Sequence, residues 1–296
     1  MIPLNGTLPS QRPLAGLLLG FVGVVIFGAT LPATRVALTG FDPAFITFAR
    51  AFLAGLASAV ALIVLGRRLP RRDLGAFALI GATLVFGFPG FVNVAMQTVP
   101  ASHGGIVLGV LPLLTAVFAA LIGGERPGLV FWLWGVLGAV LVLVFTLRGG
   151  GFSPGIGHFW LGCAAVTSAL GYVVSGKLAR HLPGWEVIAW ALVLCLPLTG
   201  LGSFLTWGTG VHAPQGPALW ALAYLAFGSM FAGFFFWNAG LAMGGIARVG
   251  QVQLLQTFVT LGISAWLLGE RITPQMLGFA VSVAAVVWLG RKARVG

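Results

Sequence analysis

The sequence predicts an all-α membrane protein with ten transmembrane helices, arranged as two inverted repeats of five helices. Three observations lead to this prediction: very few charges, a series of apolar stretches of membrane-spanning length, and a polar pattern that occurs twice. Of the 296 residues, 59% are hydrophobic and only 7% are charged. Because an ordinary soluble domain contains about 25% charged residues, we expect lipid rather than water to surround most of this chain.

Ten apolar stretches are long enough to cross a bilayer, which takes about 20 residues per helix. They cover approximately 14–36, 43–65, 74–97, 103–123, 128–147, 156–178, 185–206, 217–242, 248–268 and 274–290. The connections between them are short, so we expect no appended soluble domain. The first stretch is too long for the core of a typical signal peptide and is predicted to remain as the first helix.

A polar pattern in the first half of the chain returns in the second half. Asn93 precedes a Gly-Glu-Arg tripeptide that contains Glu125, and Asn238 precedes a second one that contains Glu270. The spacing from asparagine to glutamate is 32 residues in both copies. A shared asparagine, a shared break and a shared tripeptide at one offset indicate an internal duplication. We predict residues 1–150 as the first repeat and residues 151–296 as the second.

Basic residues are distributed unequally between the two predicted membrane surfaces. The surface that carries the N-terminus holds 12 of them, namely Arg12, Arg67, Arg68, Arg71, Arg72, Arg126, Lys177, Arg180, Arg248, Arg291, Lys292 and Arg294. The other surface holds three, namely Arg35, Arg148 and Arg271. Short cytoplasmic loops carry the excess of arginine and lysine, so both termini are predicted to face the cytoplasm.

The odd number of helices in each repeat has a structural consequence. After five helices the chain is on the opposite side of the membrane, so the second repeat is inverted relative to the first. Inverted repeats are a recurring design of transporters, in which the substrate site lies near the midplane where the repeats meet.

Two predicted helices carry a stripe of aromatic and amide side chains. Phe86, Asn93 and Gln97 follow helical spacing in the third span, and Phe234 and Asn238 do so in the eighth. An asparagine in hydrocarbon requires a hydrogen-bond partner. Each asparagine therefore predicts either a hydrogen bond between helices or a polar contact to a substrate, and the sequence leaves both interpretations open.

The sixth and ninth spans add further polar side chains on single faces. Ser168 and Tyr172 share a face of the sixth span, whereas Gln253, Gln256 and Thr260 belong to a broader stripe in the ninth. Such a stripe faces the interior of the bundle or a wet cavity rather than lipid. We expect it to face a cavity. We include these residues, together with the stripes of the third and eighth spans, among the predicted substrate contacts.

Four further residues are predicted to have gating or structural roles. Arg50 is the only permanently charged residue well inside a span. A buried arginine is a candidate for function, but we favour a tether to carbonyls at helix ends. Pro112 removes a backbone donor and frees a carbonyl, which can kink the fourth helix or line a cavity. Glu125 and Glu270 are expected to end helices and to hold neighbouring backbone.

Several classes of function are not expected from the sequence. There is no G-x-x-x-x-G-K-[ST] motif, and the four histidines stand far apart and predict no metal site. Ser229 lacks the surroundings of a nucleophile elbow. The basic residues that give the net charge of +11 stand between apolar runs and form no basic face, so nucleic acid is not an expected partner. We predict no enzyme activity, no cofactor and no obligate protein partner.

The chain resembles the EamA-type members of the drug/metabolite transporter superfamily. The resemblance rests on the two Gly-Glu-Arg tripeptides, on Phe27-Gly28-Ala29-Thr30 followed by Arg35, on Arg50 and on Pro112. It covers nearly the whole chain, although Thr257 stands where the second half would repeat Pro112. The resemblance implies a bacterial inner-membrane exporter of amino acids or other small metabolites. Aromatic amino acid exporters are the branch that it favours.

The residues and the resemblance together predict export of amino-acid-like solutes by alternating access through a central cavity. An uncharged lining of amides and aromatic rings suits a zwitterion with a variable side chain. The alternatives are a multidrug or nucleotide-sugar carrier of the same fold and a structural membrane subunit without a solute. A nucleotide-sugar site would need cations for the diphosphate, and only Arg50 is available in the predicted interior.

Overall fold

The computed structural model describes residues 13–123, 129–148, 155–244, 249 and 252–292. This part of the chain is helical, which confirms the predicted all-α class, and contains only an isolated β-bridge instead of a sheet. We label its helical segments α1 (Leu14–Ala37), α2 (Pro43–Val64), α3 (Arg71–Ala95), α4 (Ala101–Ile122), α5 (Leu129–Arg148), α6 (Ile156–Leu178), α7 (Gly184–Gly210), α8 (Gly216–Gly244), α9 (Leu254–Leu268) and α10 (Pro274–Lys292).

The helices have the length and the outer surface of membrane-spanning segments. Seven of them, α1 to α4 and α6 to α8, are long and apolar enough to cross a bilayer, and α9 and α10 contain shorter apolar stretches. Large apolar side chains face outward, such as Ile63, Phe204 and Trp266, which are 77%, 78% and 83% exposed. Helices of this length with an apolar outer surface are typical of proteins embedded in lipid, and the chain is a multi-pass membrane protein. Crossing by all ten segments stays a prediction.

Two helices of the first repeat change conformation near a proline. α1 is helical over Pro13–Gly28 and again over Thr30–Ala37, and Pro32 lies just after the break. α4 contains a 3₁₀ turn, Leu108–Val110, just before Pro112. A proline has no N–H for the carbonyl four residues earlier, and its ring collides with that carbonyl. The 3₁₀ turn of α4 therefore lies where Pro112 leaves a backbone carbonyl without its donor, and a gating or structural role of Pro112 stays a prediction.

α3 and α8 contain π-helical segments at corresponding places. These segments are Gly81–Gly87 in α3 and Tyr224–Gly233 in α8. Asn93 and Asn238 are separated by a fixed number of residues, and a shift of the first π-helical segment by that number places it within the second. π-Helical segments are rare and occur frequently at functional sites. The two repeats thus share an irregularity of the backbone as well as a polar pattern.

Glycine-rich contacts join the two halves of the chain. Gly16 of α1 lies so close to α8 that a Cβ atom on it would collide with the backbone of Gly244, and Gly240 approaches α1 equally closely. In the same way, Gly105 and Gly109 of α4 lie against side chains of α9. Small residues allow membrane helices to approach closely and to gain packing energy. These contacts position α1 against α8 and α4 against α9.

The loops at one end of the bundle pair with each other across the halves. Phe41, between α1 and α2, forms an isolated antiparallel bridge with Val211, between α7 and α8. The backbone N–H of Asp42 donates to the Gly210 carbonyl at 2.9 Å. We call this end the Asp42 end, and the opposite end, where α2 finishes near Arg67, the Arg67 end.

Candidate functional site

A cavity of about 680 Å³, which is broadly open to the outside of the bundle, lies at the Asp42 end between α2, α3 and α6. Its wall consists of Asp42, Pro43, Ala44, Thr47, Phe48, Ala82, Phe86, Gly87, Gly90, Phe91, Val94, Gln97 and Trp160. The rings of Phe91 and Trp160 stack with centroids 5.5 Å apart, and Phe48 meets Phe86 edge to face at 6.2 Å. We call this space the aromatic cavity, because its rings offer an apolar side chain several surfaces to contact.

A second cavity, of about 630 Å³, adjoins the aromatic cavity. Arg35, Asp42 and Glu270 give its wall charges of both signs. Asp42, Pro43 and Gln97 line both cavities and therefore mark the place where they meet. We call the second space the polar chamber. The two spaces together can hold the charged groups of an amphipathic solute at one side and its apolar part at the other.

The predicted stripe on α3 is divided between the cavity and the helix interior. Phe86 and Gln97 line the aromatic cavity, whereas Asn93 is fully buried behind it. The Asn93 Nδ2 donates to Thr47 Oγ1 at 2.8 Å and, at 3.4 Å, to the Pro43 carbonyl. Asn93 therefore ties α3 to the beginning of α2. A role of Asn93 in substrate binding stays a prediction.

Asn238 makes the corresponding bond in the second half of the chain. Its Nδ2 donates at 3.0 Å to the carbonyl of Gly184, the first residue of α7. The amide oxygens of Asn93 and Asn238 are buried and have no hydrogen-bond partner among the residues that the structure describes. Each asparagine thus holds a neighbouring helix and retains one free acceptor.

Tyr172 and Phe234, both predicted substrate contacts, lie in a buried aromatic cluster between α1, α6 and α8. Phe27 contacts Phe234 with ring centroids 5.0 Å apart, and Tyr172 contacts Trp237 at 5.7 Å. Ser168 is fully buried one turn before Tyr172, and its hydroxyl lies beside the phenol. In this conformation the cluster fills the space between the three helices, so these residues pack against each other.

The break in α1 explains the position of Thr260. Pro32 has no N–H to donate to the Gly28 carbonyl, and the Thr260 hydroxyl of α9 donates to that carbonyl at 2.8 Å. The Tyr224 hydroxyl of α8 donates in the same region to the Ile26 carbonyl. Backbone groups inside a membrane protein must be satisfied by the protein itself. Side chains of the second half therefore complete the broken helix of the first half.

The predicted polar stripe on α9 faces inward. Gln253, which directly precedes α9, is buried, as are Gln256 and Thr260. Thr257 donates to the Gly105 carbonyl of α4 at 3.1 Å. The Gln253 Nε2 and the Gln256 Oε1 are buried and have no partner within the described ranges. The threonines thus serve contacts between helices, whereas the glutamines retain hydrogen-bonding capacity.

Arg50 is buried in the bundle, with 2% of its surface exposed. Its Nη2 donates to Ser229 Oγ at 3.1 Å, and Ser229 Oγ lies 2.9 Å from Thr30 Oγ1. These contacts join α2 to the π-helical segment of α8 and to the second part of α1. They are made by side chains, whereas we expected Arg50 to bond to carbonyls at helix ends. Sequence reasoning missed Thr30 and the contact of Ser229. The signal for Thr30 was its place between the Gly28-Ala29 pair and Pro32.

Glu270 holds the backbone at the beginning of α4. Its carboxylate accepts the backbone N–H of Ala101 at 2.9 Å and that of Ser102 at 2.8 Å. The first N–H groups of a helix have no partner within the helix, so the carboxylate satisfies two of them and complements the positive end of the helix dipole. The corresponding prediction for Glu125 lies outside the described residues.

Contacts between polar side chains join the helices at the Arg67 end. Arg67 Nε, where α2 finishes, lies 3.2 Å from Glu186 Oε1 at the start of α7. His181, between α6 and α7, lies 3.2 Å from the Asp73 carboxylate at the start of α3. Both contacts connect the two halves of the chain. The aromatic cavity and the polar chamber therefore lie at one end of the bundle, and these contacts tie the helices together at the other.

Comparisons with known proteins agree with this architecture. The EamA-like transporter family matches residues 14–147 and again residues 155–291. A solved crystal structure superposes with a TM-score of 0.67 over 95% of this chain and 99% of its own chain. Its sequence identity is 22%, so the likeness concerns the fold.

Three bacterial relatives are similar over most of the chain. The uncharacterized transporter YdeK of Bacillus subtilis is 42% identical over 275 residues, which cover 92% of this chain and 96% of that protein. The aromatic amino acid exporter YddG of Ancylobacter novellus is 29% identical over 80% of this chain and 83% of its own length. A probable amino-acid metabolite efflux pump of Salmonella typhimurium is 27% identical over 92% and 93%.

The same family therefore matches both halves of a helical, lipid-facing chain, and a transporter covers nearly all of it at 42% identity. The chain belongs to the EamA-like transporter family, within the drug/metabolite transporter superfamily.

Proposed function

We propose that this protein exports small amphipathic, amino-acid-like solutes across a bacterial inner membrane by alternating access. The observation that carries the proposal is the pair of joined cavities at the Asp42 end. The aromatic cavity, at about 680 Å³, falls within the range of small-molecule pockets, roughly 300–1,000 Å³. Two relatives named for the export of amino acids or their metabolites support this substrate class.

The chemistry of the two cavities suits a zwitterion with an apolar side chain. The polar chamber presents the Arg35 guanidinium and the carboxylates of Asp42 and Glu270. Gln97 lies at the junction, where an amide can donate to a carboxylate or accept from an ammonium group. The aromatic cavity takes side chains of different shapes, because ring surfaces impose little directional selection. We therefore expect broad specificity and modest affinity.

The alternating-access part of the proposal rests on the asymmetry between the two ends. Both cavities adjoin the Asp42 end, whereas Arg67 bonds to Glu186 at the opposite end. The excess of arginine and lysine predicts that the Arg67 end is cytoplasmic. In our proposal the structure represents an outward-facing state with ten spans. Breaking the contacts at the Arg67 end then opens the inward-facing state.

Counterflow into proteoliposomes tests the proposed function. Liposomes with the purified protein are loaded with one unlabelled amino acid at a time and are exposed to the same amino acid in labelled form. We expect transient accumulation for at least one amphipathic amino acid, such as phenylalanine, and none in protein-free liposomes. Absence of counterflow for every amino acid would refute the proposed substrate class.

A further inference from the structure

One positive charge in the interior has no carboxylate partner among the residues that the structure describes. Arg50 is buried, and its observed hydrogen bond is to a neutral hydroxyl. The carboxylates in the described part of the chain bind elsewhere, namely Asp42 to His212, Asp73 to His181, Glu186 to Arg67, and Glu270 to the backbone of Ala101 and Ser102. Burying an unpaired charge is strongly unfavourable, so this guanidinium indicates an anionic ligand.

Arg50 also retains free donors. Its Nε and Nη1 are buried and have no hydrogen-bond partner among the described residues, whereas Nη2 donates to Ser229. A guanidinium is a planar group with five N–H donors, which matches the geometry of a carboxylate. The structure therefore contains a fixed cation with donors that no described protein group uses.

The surroundings of Arg50 orient the guanidinium. Ser229 Oγ lies between Arg50 Nη2 and Thr30 Oγ1, at 3.1 Å and 2.9 Å respectively. Thr30 begins the second part of α1, and the start of a helix carries a partial positive charge. Ser229 belongs to the π-helical segment of α8. Broken helices whose ends meet near the middle of the membrane are a recurring basis for the binding sites of transporters.

The position of Arg50 on α2 relates it to the aromatic cavity. Thr47 and Phe48 line that cavity, and Arg50 follows them by three and two residues toward the middle of the helix. Arg50 itself lines neither cavity, so a solute in the aromatic cavity would reach its guanidinium only when the surrounding helices move.

We infer that Arg50 binds the carboxylate of the transported solute, and that Ser229 and Thr30 orient its guanidinium. The inference rests on the proposed function and narrows it, since it assigns carboxylate-bearing amphiphiles as the substrate class. The carboxylate of the solute balances the buried charge of Arg50 during transport. A solute without a carboxylate cannot balance this charge. An amine without a carboxylate is therefore a poor ligand.

A competition experiment tests the assignment during transport. Counterflow of labelled L-phenylalanine is measured in the presence of either 3-phenylpropionate, which has the carboxylate but no amine, or phenethylamine, which has the amine but no carboxylate. In the wild-type protein we expect 3-phenylpropionate to compete at least about tenfold better than phenethylamine, because a hydrogen bond to a charged group strengthens binding by about that factor or more. Arg50→Gln abolishes this preference, and Arg50→Lys retains part of it. Arg68→Gln, a change at an exposed arginine, leaves it unchanged.

Ligand binding is measured separately, so that a failure of the proposed function is distinguishable from a failure of this inference. The melting temperature of the purified protein is recorded with 3-phenylpropionate, with phenethylamine and with chloride alone. Stabilisation of the wild type by 3-phenylpropionate, lost in Arg50→Gln, supports the inference even if no amino acid shows counterflow. Equal stabilisation of both proteins, no stabilisation, or stabilisation by chloride to the same extent overturns it.

Ser229→Ala provides a second variant if Arg50→Gln does not fold. It retains the charge and removes the hydroxyl that orients the guanidinium. We expect the preference for 3-phenylpropionate over phenethylamine to fall about threefold or more, in line with the loss of one hydrogen bond. An unchanged preference in this variant contradicts the inference.

Discussion

Asn93 and Asn238 make the same contact near opposite ends of the bundle. The Asn93 Nδ2 donates to Thr47 Oγ1 and the Pro43 carbonyl at the beginning of α2, and the Asn238 Nδ2 donates to the Gly184 carbonyl at the beginning of α7. The relation is the one expected from an inverted duplication, in which the same helix pair would occur twice with opposite direction. Both asparagines thus have a structural role that does not depend on a substrate.

Replacement of either asparagine by alanine is expected to destabilise the protein. Asn93→Ala and Asn238→Ala each remove a buried hydrogen bond between helices, which is worth about 0.6–2 kcal/mol in a membrane protein. Unfolding of the purified variants in detergent measures the loss, with Gln97→Ala at an exposed position as the control. Wild-type stability of both asparagine variants would show that these bonds contribute nothing.

Thr260 and Pro32 are expected to be energetically coupled through the Gly28 carbonyl. Thr260→Val leaves that buried carbonyl without the hydroxyl at 2.8 Å, which costs about 1–3 kcal/mol. In a Pro32→Ala background the new N–H can bond to the same carbonyl, so Thr260→Val costs less. A double-mutant cycle of unfolding free energies measures the difference. Equal costs in the two backgrounds would contradict this account of the break in α1.

The contact between α1 and α8 is expected to tolerate no additional atom at Gly16. A Cβ atom there collides with the backbone of Gly244, so Gly16→Ala should lower the free energy of unfolding by about 1–3 kcal/mol. Gly162→Ala is the matched control, since no atom lies within 4 Å of its Cβ position. The control should remain within about 1 kcal/mol of the wild type. Similar effects of the two changes would argue against close packing at this contact.

Locking the Arg67 end is expected to stop transport. Cysteines replace Arg67 and Glu186, which are 3.2 Å apart at their charged atoms, in a protein whose Cys163 and Cys195 are changed to serine. A short bifunctional thiol reagent with a cleavable disulfide should abolish counterflow, and reductant should restore it. The two single-cysteine proteins serve as controls. Full transport by the cross-linked protein would exclude opening at this end.

Phe86 is expected to contact the apolar part of the solute. Phe86→Ala removes an aromatic wall of the cavity and should raise KM for phenylalanine about tenfold, which corresponds to roughly 1.4 kcal/mol of lost apolar contact. The effect on alanine should be smaller, because its side chain reaches less of the wall. Phe204→Ala, at an outward-facing position of α7, is the control. The same KM for phenylalanine in all three proteins would place the binding site elsewhere.

The surroundings of some predicted site residues follow from local helical spacing, whereas those of others depend on contacts with distant parts of the chain. The inward orientation of Gln253, Gln256 and Thr260 follows from helical spacing alone, since polar side chains avoid lipid. The assignment of Phe86 and Gln97 to a cavity, but of Tyr172 and Phe234 to a packed cluster, depends on how neighbouring helices approach. Helical spacing carries no information about the distance between neighbouring helices.

The sequence by itself determined the helical membrane class, the duplication and the possible distortion at Pro112, since composition, spacing and proline chemistry act locally. Only the tertiary structure decided the partners. Arg50 bonds to Ser229 over 179 residues of sequence, and Thr260 bonds to Gly28 over 232. Such bonds form because buried polar groups must be satisfied wherever folding brings a donor to an acceptor, and no local pattern specifies which two will meet.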